Sequence, residues 1–190
     1  MKICVYGASS NNINPEYIKR GEILGKEIAK RGHSVVFGGG GDGLMGAVSR
    51  GALSIKGEVI GISPRFFEDM GALRADCTKL IYTDTMRERK QLMEQTSDAF
   101  VVTPGGVGTF EEFFEIFTAR QLVLHQKPIV IYNINGYYNK MIDMIEFGIK
   151  EGFIFESCRN LIFVTDNDDQ LFSYIENYVP PKGETYKTGA

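Results

Sequence analysis

Thr103-Pro104-Gly105-Gly106-Val107-Gly108-Thr109-Phe110-Glu111-Glu112 is the stretch from which the fold can be read. Before it, Asp98-Ala99-Phe100-Val101-Val102 ends in an apolar, partly β-branched run that reads as a short buried strand; after it, Phe110 to Leu124 reads as a helix. The segment is therefore a strand, a glycine turn and a helix start. Glycines let several backbone N–H groups converge in such a turn, and the helix adds unpaired N–H groups and a partial positive charge. An anion, most often phosphate, fits there, which makes Gly105, Gly106, Val107, Gly108 and Thr109 candidate phosphate ligands. Glu112 has two readings. Thr109-x-x-Glu112 has the form of a capping box, in which the carboxylate only closes the helix start; alternatively, the acid faces whatever the turn binds.

The same rhythm runs through the chain. Strand-like runs recur at Ile3 to Tyr6, Ser34 to Phe37, Val59 to Ile62, Lys79 to Tyr82, Ala99 to Val102, Pro128 to Tyr132 and Leu161 to Val164. Helical patterns fill 16–31, 43–55, 85–97, 110–124, 137–150 and 167–177. Strand alternating with helix predicts a parallel sheet of about seven strands covered on both faces, a three-layer α/β/α sandwich. One domain is expected over 1–179, followed by a loose tail at 180–190. The turns after the strands, Gly7-Ala8-Ser9-Ser10, Gly38-Gly39-Gly40-Gly41-Asp42-Gly43, Ser63-Pro64, Asp84-Thr85 and Pro104-Gly105-Gly106, all fall on the carboxyl edge of such a sheet, where ligands bind. Gly7, Ser9, Gly40 and Gly41 thereby join the candidate binding residues.

Composition narrows the function classes. At 190 residues the chain can bury an ordinary core. A net charge of −3 with acids and bases interleaved gives no footprint for a nucleic acid polymer. The apolar run at the N-terminus is too short for a signal peptide and no other run approaches a membrane span, so a cytoplasmic protein is expected. Cys4, Cys77 and Cys158 lack C-x-x-C spacing, and His33 and His125 lack H-E-x-x-H, so neither disulfides nor a metal site are expected. No G-x-S-x-G elbow is present.

Gly41-Asp42-Gly43-Leu44-Met45-Gly46 matches G-x-G-x-x-G and raises a dinucleotide reading. That fingerprint needs an acid near the end of the next strand, but Ile60-Gly61-Ile62-Ser63 ends without one and Glu58 sits at its start. A turn that touches a mononucleotide is the preferred reading. In the helix from Thr85, Met86, Arg89 and Met93 share one face, which puts a guanidinium in an apolar stripe. It either pairs with a buried partner or snorkels to solvent. In helix 110–124, Phe110, Phe113, Phe114 and Phe117 form one stripe, with Ile116 and Val123 beside it near Glu112. This extra apolar surface suits a homodimer or a helix set deep in the fold.

Pro104-Gly105-Gly106-Val107-Gly108-Thr109 with Glu112, together with Met86-Arg87-Glu88-Arg89-Lys90, resembles the PGGxGTxxE and M-x-x-R-K signatures of the LOG ("lonely guy") family of cytokinin-activating phosphoribohydrolases. The resemblance extends from Val5-Tyr6-Gly7 through Ser63-Pro64 to Lys127-Pro128, Asn135-Gly136-Tyr137-Tyr138-Asn139 and Glu151-Gly152-Phe153. It implies a Rossmann-like sandwich, a homodimer with active sites near the interface, and hydrolysis of a nucleoside 5′-monophosphate to free base and ribose 5-phosphate without a cofactor. Arg89, Lys90, Gly105 to Thr109, Glu112 and Thr118 fall on positions the family uses, with Arg89 and Glu112 implied as catalytic and Met86 as substrate-binding. Asp76 to Thr83 gives no clear counterpart to the acid-containing segment of plant members. The rival expectation is a nucleotide-binding sensor or carrier that keeps the glycine turns without hydrolysis.

Overall fold

β1 (Lys2–Tyr6) is buried from Ile3 onward on both sides, as a central parallel strand must be. Alternate residues of β1 send their side chains to opposite faces. Ile3 and Val5 pack with Leu24, Ile28, Leu44 and Val48 in one apolar layer, whereas Cys4 and Tyr6 join Met93, Phe113 and Phe117 in the other. The computed structural model describes residues 1–181 apart from Met70, Ala72, Arg74 and Ala75.

In chain order the elements after β1 are α1 (Pro15–Lys30), β2 (Ser34–Phe37), α2 (Gly43–Leu53), β3 (Val59–Pro64), a short α3 (Phe66–Asp69), β4 (Lys79–Thr83), α4 (Met86–Thr96), β5 (Ala99–Val102), α5 (Val107–Gln121), β6 (Ile129–Tyr132), α6 (Asn139–Lys150), β7 (Phe163–Thr165) and α7 (Asp168–Glu176). All seven strands are parallel, in the order β4-β3-β2-β1-β5-β6-β7. The chain builds outward from β1 to β4, then returns to place β5 on the other side of β1. That reversal opens a crevice at the carboxyl ends of β1 and β5, and the cavity lined by the glycine turns lies there. The expected Rossmann-like α/β/α architecture is the one observed.

Local chemistry accounts for the element limits. α1 starts at Pro15, with the Asn14 side chain accepting from Glu16 N at 2.9 Å. α4 opens on a complete capping box: Glu88 N donates to Thr85 Oγ1 (3.2 Å) and Thr85 N donates back to the Glu88 carboxylate (3.1 Å). α5 starts three residues earlier than its apolar pattern predicts, at Val107, with Gly106 as N-cap. Thr109 therefore lies inside the first turn, and the capping reading of Thr109 and Glu112 is wrong. At its other end the chain leaves α5 at Leu122; Val123 adopts φ 60°, with Leu124 N bonding to Ala119 O, a Schellman-type exit. Ile116 is 3% exposed and packed within the single chain. Val123, just past the end of α5, is partly buried against the same apolar layer, so these two residues do not form an open apolar stripe on the single chain.

The expected tail at 180–190 lies, from residue 182 on, outside the described residues. Among the described residues no helix is long and apolar enough to cross a membrane.

Candidate active site

A cavity of about 490 Å³ occupies the crevice. Gly7, Ser9, Gly40, Met86, Arg89, Gly106, Val107, Gly108, Thr109 and Glu112, all anticipated from the sequence, line it. Gly105 lies beneath the lining: a Cβ there would stand 2.1 Å from Thr109 Oγ1, so only glycine lets Thr109 pack back onto the turn. Gly41 and Thr118 do not line the cavity, and Thr118 is exposed on the outer side of α5.

The glycine turn is held from behind. Tyr138 donates its hydroxyl to Thr103 O and Tyr137 to Gly105 O, each at 2.7 Å, and Ala8 N donates to Pro104 O at 3.0 Å. With these carbonyls engaged and no side chain capping α5, the first-turn amides are left to the cavity. This gives the Asn135-Gly136-Tyr137-Tyr138-Asn139 segment a physical task that its sequence did not reveal.

Arg89 does not snorkel. Its side chain is 9% exposed; Nη1 donates to Glu112 Oε1 at 2.8 Å and Nε to Ile62 O at 3.3 Å. A Cβ at Gly38 would stand 2.2 Å from Arg89 Nη2, so the glycine after β2 makes room for the guanidinium. Burial pushes the Glu112 carboxyl up from its ordinary value, against the opposing pull of Arg89. α4 and α5 thus present one buried ion pair at the cavity wall, contributed by the two sequence signatures.

Lys90 points elsewhere. It pairs with Glu111 and Glu115 on α5 and does not line the cavity. Burial pulls its ammonium down, but the two carboxylates prevail and hold it above its ordinary value. Lys90 therefore pins α4 to α5 and fixes the backbone that carries Arg89 and Glu112. His125 is buried with Nε2 2.9 Å from Ile116 O, while its Nδ1 accepts from Lys127 N; burial lowers it to about 4, as suits a neutral structural imidazole.

Several lining residues escaped sequence reasoning: Ala8, Asp42, Met45, Phe67, Leu73 and Glu111. Phe67 sits on α3, a single turn with too little periodicity to be predicted. Asp42 occupies an unspecified position of the glycine-rich fingerprint, to which the pattern assigns no role. The dinucleotide reading of that fingerprint meets a specific obstacle. At the start of α2, Gly43 N already donates to Asn11 Oδ1 (2.8 Å) and Met45 N to Ala8 O (3.1 Å), so a pyrophosphate would have to displace both. Glu58 is at the opposite, amino end of β3, bonded by Ser34 Oγ.

The family model described as "Possible lysine decarboxylase" matches residues 45–175. The cytokinin riboside 5′-monophosphate phosphoribohydrolase LOG of Oryza sativa subsp. japonica is 37% identical over 186 residues, covering 94% of this chain and 74% of that protein. A phosphoribohydrolase of the same description from Arabidopsis thaliana is 36% identical over 186 residues, covering 94% and 83%. Among solved structures, the molybdenum cofactor carrier protein of Chlamydomonas reinhardtii superposes with a TM-score of 0.68 at 20% identity, covering 92% of this chain and 95% of that one. At that identity the likeness concerns the fold.

Proposed function

The chain belongs to the LOG family, and from that premise we propose that it is a nucleoside 5′-monophosphate phosphoribohydrolase. Its substrate on this reading is AMP or an N6-substituted AMP. The observation that carries the proposal is the buried Arg89–Glu112 pair, 2.8 Å apart, in the same cavity as the uncapped start of α5.

The phosphate rests on the amides of Gly106 to Thr109, which places the ribose against Glu112. Cleavage of the C1′–N bond leaves positive charge on the sugar, and the base departs with a proton while water oxygen adds to C1′. A carboxylate beside C1′ stabilises the cationic transition state more than the neutral ground state. Arg89 favours the ionised form of Glu112 and fixes one of its oxygens, leaving the other for the sugar or the attacking water. Met45, Phe67, Leu73 and Met86 supply an apolar wall for the base. The decarboxylase description of the family model fits the site less well: a pyridoxal-phosphate enzyme needs a Schiff-base lysine, and among the described residues no lysine lines the cavity.

A homodimer working in the cytoplasm is part of the same proposal. Leu124, Phe147 and Phe153 are 72%, 62% and 89% exposed and provide apolar surface at the end of α5 and on and after α6. Exposed Thr118 then meets a site only if a second copy brings one to it.

The test is to incubate purified protein with AMP and with isopentenyl-AMP and to measure ribose 5-phosphate and free base. Release of both products from either nucleotide is the expected result. Tight AMP binding by calorimetry without turnover would instead point to a carrier on the same fold.

A further inference from the structure

Two of the helices that begin at this cavity, α2 and α5, treat charge in opposite ways. α5 opens without a side-chain cap, so its first turn suits an anion. α2 opens with Asn11 and Ala8 already bonded to the amides of Gly43 and Met45. Its N-cap residue is Asp42, a type that normally accepts from amides of its own first turn. Here it makes no such bond. Asn11 holds the carboxylate instead, with Nδ2 donating to Asp42 Oδ1 at 2.8 Å, and Asp42 is an exposed residue of the cavity lining. The second oxygen, Oδ2, has no hydrogen-bond partner among the described residues.

From this arrangement we infer that Asp42 is a specificity-determining residue: its carboxylate receives hydrogen-bond donors of the bound nucleotide and rejects nucleotides carrying a second anion. The inference rests on the proposed nucleotide substrate and deepens it. A carboxylate is acceptor-only, so its partners are hydroxyl or amino groups, and a charged acceptor makes a stronger bond than a neutral one. A second phosphate near Asp42 would meet like charge and find the neighbouring α2 amides taken. The donors have two possible sources, the ribose diol and the exocyclic amine of the base.

The experiment compares wild type with Asp42→Asn, whose side-chain oxygen can still accept from Asn11. Binding by calorimetry and hydrolysis are measured for AMP, 2′-deoxy-AMP, purine riboside 5′-monophosphate and adenosine 3′,5′-bisphosphate. In wild type, AMP should be preferred over the bisphosphate by about 100-fold; the variant should bind AMP about tenfold more weakly and narrow that preference to about tenfold. Melting temperature should be unchanged. If wild type loses affinity for 2′-deoxy-AMP and the variant does not, the donor is the sugar hydroxyl; the same pattern with the riboside lacking the amine assigns the base. Coupling in either arm supports the inference. A folded variant with wild-type AMP affinity, an unchanged bisphosphate preference and no coupling overturns it while leaving the nucleotide reading intact. Failure of wild type to bind AMP at all overturns both.

Discussion

Glu112 and Arg89 carry the residue-scale argument, because they convert a helix-capping pattern and an apolar stripe into one buried pair. Glutamine keeps a hydrogen-bond acceptor for Arg89 but removes the charge. Glu112→Gln should therefore lower turnover by ~10²-fold, about 3 kcal/mol of transition-state stabilisation, with little change in melting temperature. Arg89→Ala should also lose turnover, and the double variant should lose far less than the product of the single losses, since both residues serve one transition state. Steady-state kinetics on the three variants decides this, and near-normal hydrolysis by Glu112→Gln would defeat the mechanism. The pH dependence follows from the raised carboxyl. Activity that requires ionised Glu112 is complete above its folded value and is lost as pH falls through it. The acidic limb of the rate profile should consequently lie above the ordinary glutamate value of 4.5. Because Arg89 opposes that rise, the limb should move further up in any residual activity of Arg89→Ala. The sign for stability is opposite: a carboxyl raised on folding favours the fold below its unfolded value, and that contribution disappears as pH rises through the folded one.

At the scale of elements, the chain contains two T-x-x-E patterns and only one is a cap. Thr85 and Glu88 satisfy each other at the start of α4, so Thr85→Ala should cost about 1 kcal/mol in chemical denaturation. Thr109 and Glu112 share the pattern, but Gly106 has already started the helix. The tyrosine pair behind the turn supplies a second measurement at this scale. Tyr137→Phe removes the donor to Gly105 O and leaves the ring and the Arg89–Glu112 pair in place. Phosphate placement should loosen, with KM for AMP rising about tenfold and kcat falling less. A variant with unaltered KM would mean that the turn holds its shape without this bond.

For the whole molecule, the proposed homodimer can be located by its exposed apolar residues. Light scattering at micromolar concentration should return twice the monomer mass. Phe153, 89% exposed after α6, is a suitable probe. Phe153→Asp should shift the mass toward the monomer, with no loss of the single chain's fold by circular dichroism, because the side chain is not part of either core layer. A wild-type monomer would remove the proposal.

What the sequence determined by itself was everything set by short-range repetition. Alternating apolar strands and periodic helices predicted the parallel sheet, since burial on both faces requires near-continuous apolar runs. Glycine clusters after those strands pointed to the edge of the sheet that carries the cavity, since few other residues permit such turns. Two local signatures singled out Arg89 and Glu112. Only the tertiary structure decided what these residues do. Whether Glu112 capped a helix or met a cation depended on where α5 began, and Gly106 and the packing of Thr109 set that start. Arg89 found its acid 23 positions away in the chain, a contact no periodicity contains. Lys90 and Thr118, adjacent in sequence logic to the site, turned away from the cavity because helix geometry rotates neighbours by about 100° per residue. Tyr137, Phe67 and Asp42 came to the turn or the cavity from separate loops and a single helical turn. Their positions follow from the order in which seven strands lie side by side, and that order is a property of the assembled sheet.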